Sequence, residues 1–141
     1  MIKSFYIIGS LRNPEIPVFA NEIQALGFEA FADWFAPGPH ADDYWRKYSK
    51  QRGWTYEQAL QSYAATHIFE FDHFHINRCD AGVLLMPAGK SGHLELGYMI
   101  GQGKPGFIVF DKEPKRWDVM VQFAKVFFSR KDFRLYISTL A

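Results

Sequence analysis

Glu95 is the residue that type and local sequence best equip for chemistry. It follows the tight loop Pro87-Ala88-Gly89-Lys90, and Ser91 stands where a helix cap belongs, so Glu95 falls at the end of the first helical turn. The partial positive charge at a helix N-terminus favours a carboxylate over its acid by a few tenths to about 1 kcal/mol. An ionised carboxylate at the mouth of a crevice can attack the anomeric carbon of a sugar and hold it as an ester. Glutamate is also common near helix starts for electrostatic reasons alone, and both readings stand on these residues.

Asp72 is the second candidate. It lies near the end of a long helical stretch, one turn beyond Ile68 and beside Phe71. A carboxylate there can face the crevice as a general acid that protonates or grips a leaving base. It can equally be a solvated residue paired with a nearby cation. Gly89-Lys90-Ser91 has the look of a P-loop tail, but that motif requires glycine where Leu84 stands, which excludes a nucleotide-triphosphatase. Amides at the helix start, with Lys90 and Ser91, can still hold an anion, and Gly9-Ser10 with Arg12 can do the same from the first strand. Arg12 has no evident partner in its own segment, which makes a 5′-phosphate the expected anion.

No glycine fingerprint of a dinucleotide fold is present. His73 and His75 are two apart, on different faces of a helix, so no shared metal is expected. Trp34, Tyr44 and Trp45, interleaved with Asp33, Asp42 and Asp43, suit stacking and hydrogen-bonding a flat heterocycle. They can equally close a lid onto the core.

The elements that must hold these residues alternate along the chain. Ser4 to Ile8 is an apolar, β-rich run that stops at Gly9. Asn13-Pro14 opens a helix whose stripe includes Val18, Ile23 and Leu26 and which ends at Gly27. A short strand follows near Phe28 to Phe31. The stretch from Asp33 to Trp54 is long for a connection and reads as a functional loop with a short helix at Asp42 to Arg46.

Thr55 to Gln58 is a capping box for a long helix, with Leu60, Ala64, His67, Ile68, Phe71 and Phe74 as its buried face. Ala81 to Met86 is an unbroken apolar run, as in a central parallel strand. A helix from Ser91 to Gly101, a strand at Gly106 to Phe110, a helical stretch at Trp117 to Phe123, a strand at Lys125 to Phe128 and a helix from Ser129 through Leu140 complete the chain. Residues 1–141 thus predict one α/β domain, an open sheet of about five mostly parallel strands with helices on both faces. Ligands of such sheets bind outside the strand carboxyl ends where the order reverses. If Gly9 and Met86 end adjacent central strands, Gly9 to Asn13 and Pro87 to Glu95 converge on one crevice.

Composition bounds the partner. With 141 residues, 48% hydrophobic and 18% aromatic, the chain has ample core for one soluble domain. A formal net charge of +1 argues against a nucleic-acid coat. Cys79 is the only cysteine, which rules out an internal disulfide and fits a cytoplasmic setting. No signal-peptide pattern and no bilayer-length apolar run is read in the sequence, so a small-molecule partner is expected rather than a membrane.

Taken together, Tyr6-Ile7-Ile8-Gly9-Ser10-Leu11-Arg12, Asp72 followed by Cys79-Asp80, and Glu95-Leu96-Gly97-Tyr98 with Gly103-Lys104-Pro105 resemble the nucleoside 2-deoxyribosyltransferase family and its related deoxynucleoside 5′-monophosphate N-glycosidases. The resemblance runs from the first strand through the strand after Pro105. It implies a flavodoxin-like sheet, a homodimer or higher homo-oligomer, and a nucleoside or nucleotide as the small-molecule partner, with no cofactor and no metal. It makes Glu95 the nucleophile that takes the sugar and Asp72 the acid near the base. Tyr6 would orient Glu95, with Gly9 to Arg12 around the sugar or its 5′ end. The rivals are a non-catalytic nucleotide-binding sensor of the same fold and, more weakly, a structural protein whose lid binds a macromolecule.

Overall fold

Every residue of Ser4–Ile8 and of Ala81–Leu85 is buried, which only central strands covered on both faces allow. The computed structural model describes residues 1–141 and places these two segments, β1 and β3, side by side. Between them the chain forms α1 (Ile16–Gln24), β2 (Glu29–Phe31), α2 (Ala41–Gln51), α3 (Tyr56–Leu60) and α4 (Tyr63–Arg78). After β3 come α5 (Lys90–Gly101), β4 (Gly106–Val109), β5 (Lys125–Phe127) and α6 (Arg130–Ser138). All four strand pairings are parallel and the order is β2-β1-β3-β4-β5, a flavodoxin-like α/β arrangement. The order reverses between β1 and β3, so Gly9 and Met86 do leave adjacent strands at one edge of a crevice.

Strand alternation splits the core into two layers. Phe5, Ile7, Val83, Leu85, Phe107 and Val109 face α1 and α6, where Phe19, Ile23, Phe133 and Ile137 meet them. Tyr6, Ile8, Leu84, Ile108 and Phe110 face the other side, against Ile76 of α4 and Leu96 and Met99 of α5. The second layer is the one from which Tyr6 reaches α5. There α5 lies close on the sheet because Gly92 has no side chain: a Cβ at that position would stand 3.1 Å from both Ile8 and Leu84.

Several expected boundaries move. Asn13 does not cap α1; its Oδ1 accepts from Glu15 N in the preceding turn, and the buried stripe is Ile16, Phe19, Ala20 and Ile23, with Val18 exposed. The Thr55 capping box forms as read, but it caps only α3. The chain then breaks, and Ser62 caps α4 by accepting from Ala65 N. The stretch at Trp117 to Phe123 is a 3-10 turn over Val119–Phe123, not a full helix. The Asp33 to Trp54 connection holds a 3-10 turn at Asp33–Phe35 and the 11-residue α2.

The largest correction concerns α4. Leu60, Ala64, His67, Ile68, Phe71 and Phe74 are not a buried face; Phe74 is 62% exposed and Phe69 65%. The apolar groups of α4 run around the helix rather than along one stripe, and only its C-terminal part reaches the sheet. There Ile76 is buried and His75 stacks on Phe31 with centroids 3.9 Å apart. No helix is long and apolar enough to cross a membrane.

The seat of α5 on β1 and β3 gives a direct test. Gly92→Val puts a branched side chain between Ile8 and Leu84, and overpacking of this kind costs about 1–3 kcal/mol. The variant should unfold at a lower urea concentration than the wild type with an unchanged slope, because the loss is in the folded state.

Candidate active site

Tyr6 points from β1 into the α5 layer and is 1% exposed. Its hydroxyl donates to Glu95 Oε2 at 3.3 Å, across 89 residues of sequence. Glu95 is half-buried on α5, above the carboxyl ends of β1 and β3. Asp72, also half-buried, comes from α4 and opens onto the same cavity as Glu95. That cavity has a volume of about 1160 Å³.

The remaining expected residues converge there too. Gly9, Ser10 and Arg12 line it from the β1–α1 turn, and Gly89, Lys90 and Ser91 line it from the start of α5. Asp33 and Trp34 line it from the segment after β2. Of the residues singled out from sequence for the site, Tyr6 and Asp43 are not on the wall; Tyr6 lies behind Glu95 and Asp43 pairs with Arg12. A Cβ at Gly9 would meet the terminal methyl of Ile16, which would have to shift to admit it.

Some local roles differ from those expected. Gly89, not Ser91, is the N-cap of α5, in extended conformation and with no side-chain cap. Glu95 therefore sits in the second turn, beyond the reach of the terminal dipole. Trp34 lines the cavity but donates its indole N–H to the Ile7 carbonyl at 2.7 Å, which ties the base of the lid to the end of β1. Arg12 is not free: its guanidinium pairs with Asp43 of α2 at 3.3 Å. The preference for a 5′-phosphate that followed from an unpartnered Arg12 loses its basis.

Sequence reading missed Ile68 and Phe71 as cavity wall, because their apolar character was assigned to the core. The signal was present. A helix that turns Asp72 toward a cavity turns the residue four positions earlier the same way, and Ile68 fits that spacing. Trp45 of α2 is also on the wall, and its indole N–H is buried without a partner.

Burial dominates the electrostatics. The Tyr6 hydroxyl is pushed far above its ordinary range by burial and by the nearby charges of Glu95 and Asp72, so it remains a donor. Asp72 is raised to about 6 by burial. Glu95 is raised to about 7, first by burial and then by the charge of Asp72, with the Tyr6 hydrogen bond acting in the opposite direction. Repulsion falls on Glu95 because it ionises second, beside an existing carboxylate. An Asp72–Glu95 pair that shares one proton near neutrality can supply one acid and one base to the same ligand.

No protein-family model matches the chain, and no curated protein matches it. Among solved structures, a 2-deoxyribosyltransferase from Bacillus psychrosaccharolyticus is similar over 93% of this chain and 90% of its own, with TM-score 0.61 and 17% identity. It is described as a biocatalyst for the synthesis of antiviral and antitumoral nucleosides. A conserved protein from Enterococcus faecalis V583 is similar over 100% of both chains, with TM-score 0.64 and 11% identity. At these identities the likeness establishes the shared fold.

The raised Glu95 value has a signature in stability. Its pKa is higher in the folded chain than the ordinary 4.5, so the folded state loses stability relative to the unfolded as pH rises from about 4.5 to about 7. Glu95→Gln keeps an acceptor for Tyr6 and removes that loss. The variant should therefore match the wild type in thermal unfolding at low pH and exceed it above pH 7, by about 1–3 kcal/mol. A constant difference across the range would refute the assignment of burial strain to this carboxyl.

Proposed function

We propose that this protein cleaves or transfers the N-glycosidic bond of a (deoxy)nucleoside or nucleoside 5′-monophosphate through a covalent glycosyl ester on Glu95. The observation that carries the reading is the Tyr6–Glu95 hydrogen bond at the wall of a cavity that Asp72 shares. A buried phenol that orients a carboxylate toward open space suits a nucleophile. A non-catalytic sensor has no use for that arrangement. The fold shared with a 2-deoxyribosyltransferase supports the same reading.

Glu95 attacks the anomeric carbon as the bond to the base lengthens, and Asp72 grips or protonates the departing base. Water or a second base then takes the sugar from Glu95. At rest burial and the charge of Asp72 favour Glu95 over Asp72 for the shared proton. Positive charge developing at the anomeric carbon beside Glu95 reverses that order, since it stabilises the Glu95 anion and leaves the proton on Asp72. The ring faces of Trp45 and Tyr44 on the lid would hold the base. The exposed apolar residues of α4 would be covered in a homodimer, which also closes the open side of the cavity at Ile68 and Phe71.

The experiment is a screen of nucleosides and their 5′-monophosphates for base release, with and without an acceptor base. Glu95→Ala should lower release at least about 10³-fold, as loss of a nucleophile does, while ligand binding persists. Asp72→Asn should lose about 10²–10⁴-fold. The rate with a nucleoside should be bell-shaped in pH, with limbs near 6 and 7. A 2′-fluoro-2′-deoxynucleoside should leave one sugar on the peptide containing Glu95, read by mass spectrometry. Full activity in Glu95→Ala would end the nucleophile assignment. In sedimentation the chain should be a dimer, and Phe69→Asp with Phe74→Asp should shift it toward monomer.

A further inference from the structure

Four carboxylates line the cavity, Asp33, Asp42, Asp72 and Glu95, and none of them is in an ion pair. Tyr6 is the only side-chain partner of any of them. The lining cations are Arg12 and Lys90, and Arg12 is already held by Asp43. His67 is the remaining lining group able to carry positive charge. Glu95 and Asp72 are accounted for by the reacting carbon and the leaving base. Asp33 and Asp42 are not: Asp33 lies in the 3-10 turn after β2 and Asp42 in the first turn of α2, both on the lid. The lid also presents Trp34, Tyr44 and Trp45, and aromatic faces attract cations. A dianionic 5′-phosphate is poorly matched to such a cavity; a cationic heterocycle is well matched.

Resting on the glycosidic reading above, we propose that the base of the substrate carries a fixed positive charge, as in a pyridinium nucleoside or an N7-alkylated purine nucleoside. In such a substrate the C1′–N bond breaks with its electron pair passing to the ring nitrogen, and the base leaves neutral. C1′ bonds to Glu95 Oε in the same step, and no proton has to be delivered. Water then attacks C1′, the ester C1′–O bond breaks with its pair returning to Glu95, and the proton of that water passes to Asp72. Binding of the cation releases the shared proton of the Asp72–Glu95 pair to solvent. Glu95 therefore attacks as a carboxylate, and Asp72 acts first as a counter-ion and then as a base. Asp33 and Asp42 select the charge of the base without touching the reacting carbon.

The test compares 7-methylguanosine with guanosine on the full chain at about pH 6, with binding followed by calorimetry and base release by chromatography. The cation should bind at least about tenfold more tightly, an advantage that shrinks as salt is raised. In Asp33→Asn with Asp42→Asn the advantage of the cation over guanosine, measured on the same variant, should fall at least about threefold. Equal or weaker binding of the cation overturns the proposal, as does a preference that survives the double substitution intact. The two readings fail separately. Base release from guanosine with no preference for the cation sinks the charge selection alone, whereas tight, charge-dependent binding with no release from either nucleoside sinks the glycosidic reading.

Discussion

A buried phenol under a half-buried carboxylate is the contact around which the crevice is organised. Tyr6 can reach Glu95 only because strand alternation turns residues 6 and 8 of β1 toward α5. Glu95 can receive it only because Gly92, one turn earlier, lets α5 lie against Ile8 and Leu84. A larger residue at 92 lifts the helix, and a one-residue slip of β1 turns Tyr6 into the opposite layer, against α1. The remaining walls are then hung on this pair. Trp34 fastens the lid to the last carbonyls of β1, and the C-terminal part of α4 packs on Phe31 and so aims Asp72 inward.

That arrangement is costly to the fold, and the cost is local. Both carboxyls titrate above their ordinary ranges because burial penalises their charged forms, and neither has a cation beside it. Elsewhere the molecule places counter-ions freely. Arg130 joins Glu15 and Glu22 between α6 and α1, and Arg134 adds a second contact to Glu22. Asp80 receives the backbone amides of Lys3 and Ser4 and is held below the usual carboxylate range. The two carboxyls that burial raises most, Asp72 and Glu95, thus both open onto the crevice without an ion-pair partner.

The sheet was legible because β1 and β3 are continuous apolar runs and the turns beside them carry glycine and proline. The convergence of Gly9 to Arg12 with Gly89 to Glu95 followed from topology, since parallel strands end on one side. The α5 cap was misread because Ser91 has the right chemistry for a cap, but the chain enters the helix two residues before it, with Gly89 as cap. The α4 face was misread for a different reason: aromatic residues at helical spacing look the same whether a sheet or solvent stands opposite. The Arg12–Asp43 pair joins residues 31 apart across a loop, and no local pattern encodes such a contact.

The parallel pairing of β1 with β3 also sets the order in which this molecule can be born. β1 emerges first during synthesis, yet the neighbour on its inner edge begins only at Ala81, and Asp80 meets Lys3 across 77 residues. Until that segment leaves the ribosome, this fully buried strand has β2 on one edge and an open ladder of amides and carbonyls on the other. Long-range closures of this kind are slow, and exposed strand edges invite pairing with other chains. Tyr6 then waits 89 residues for its partner. The crevice cannot exist in any early intermediate, because Glu95 follows β3 in the chain and joins Tyr6 only after that strand has been made.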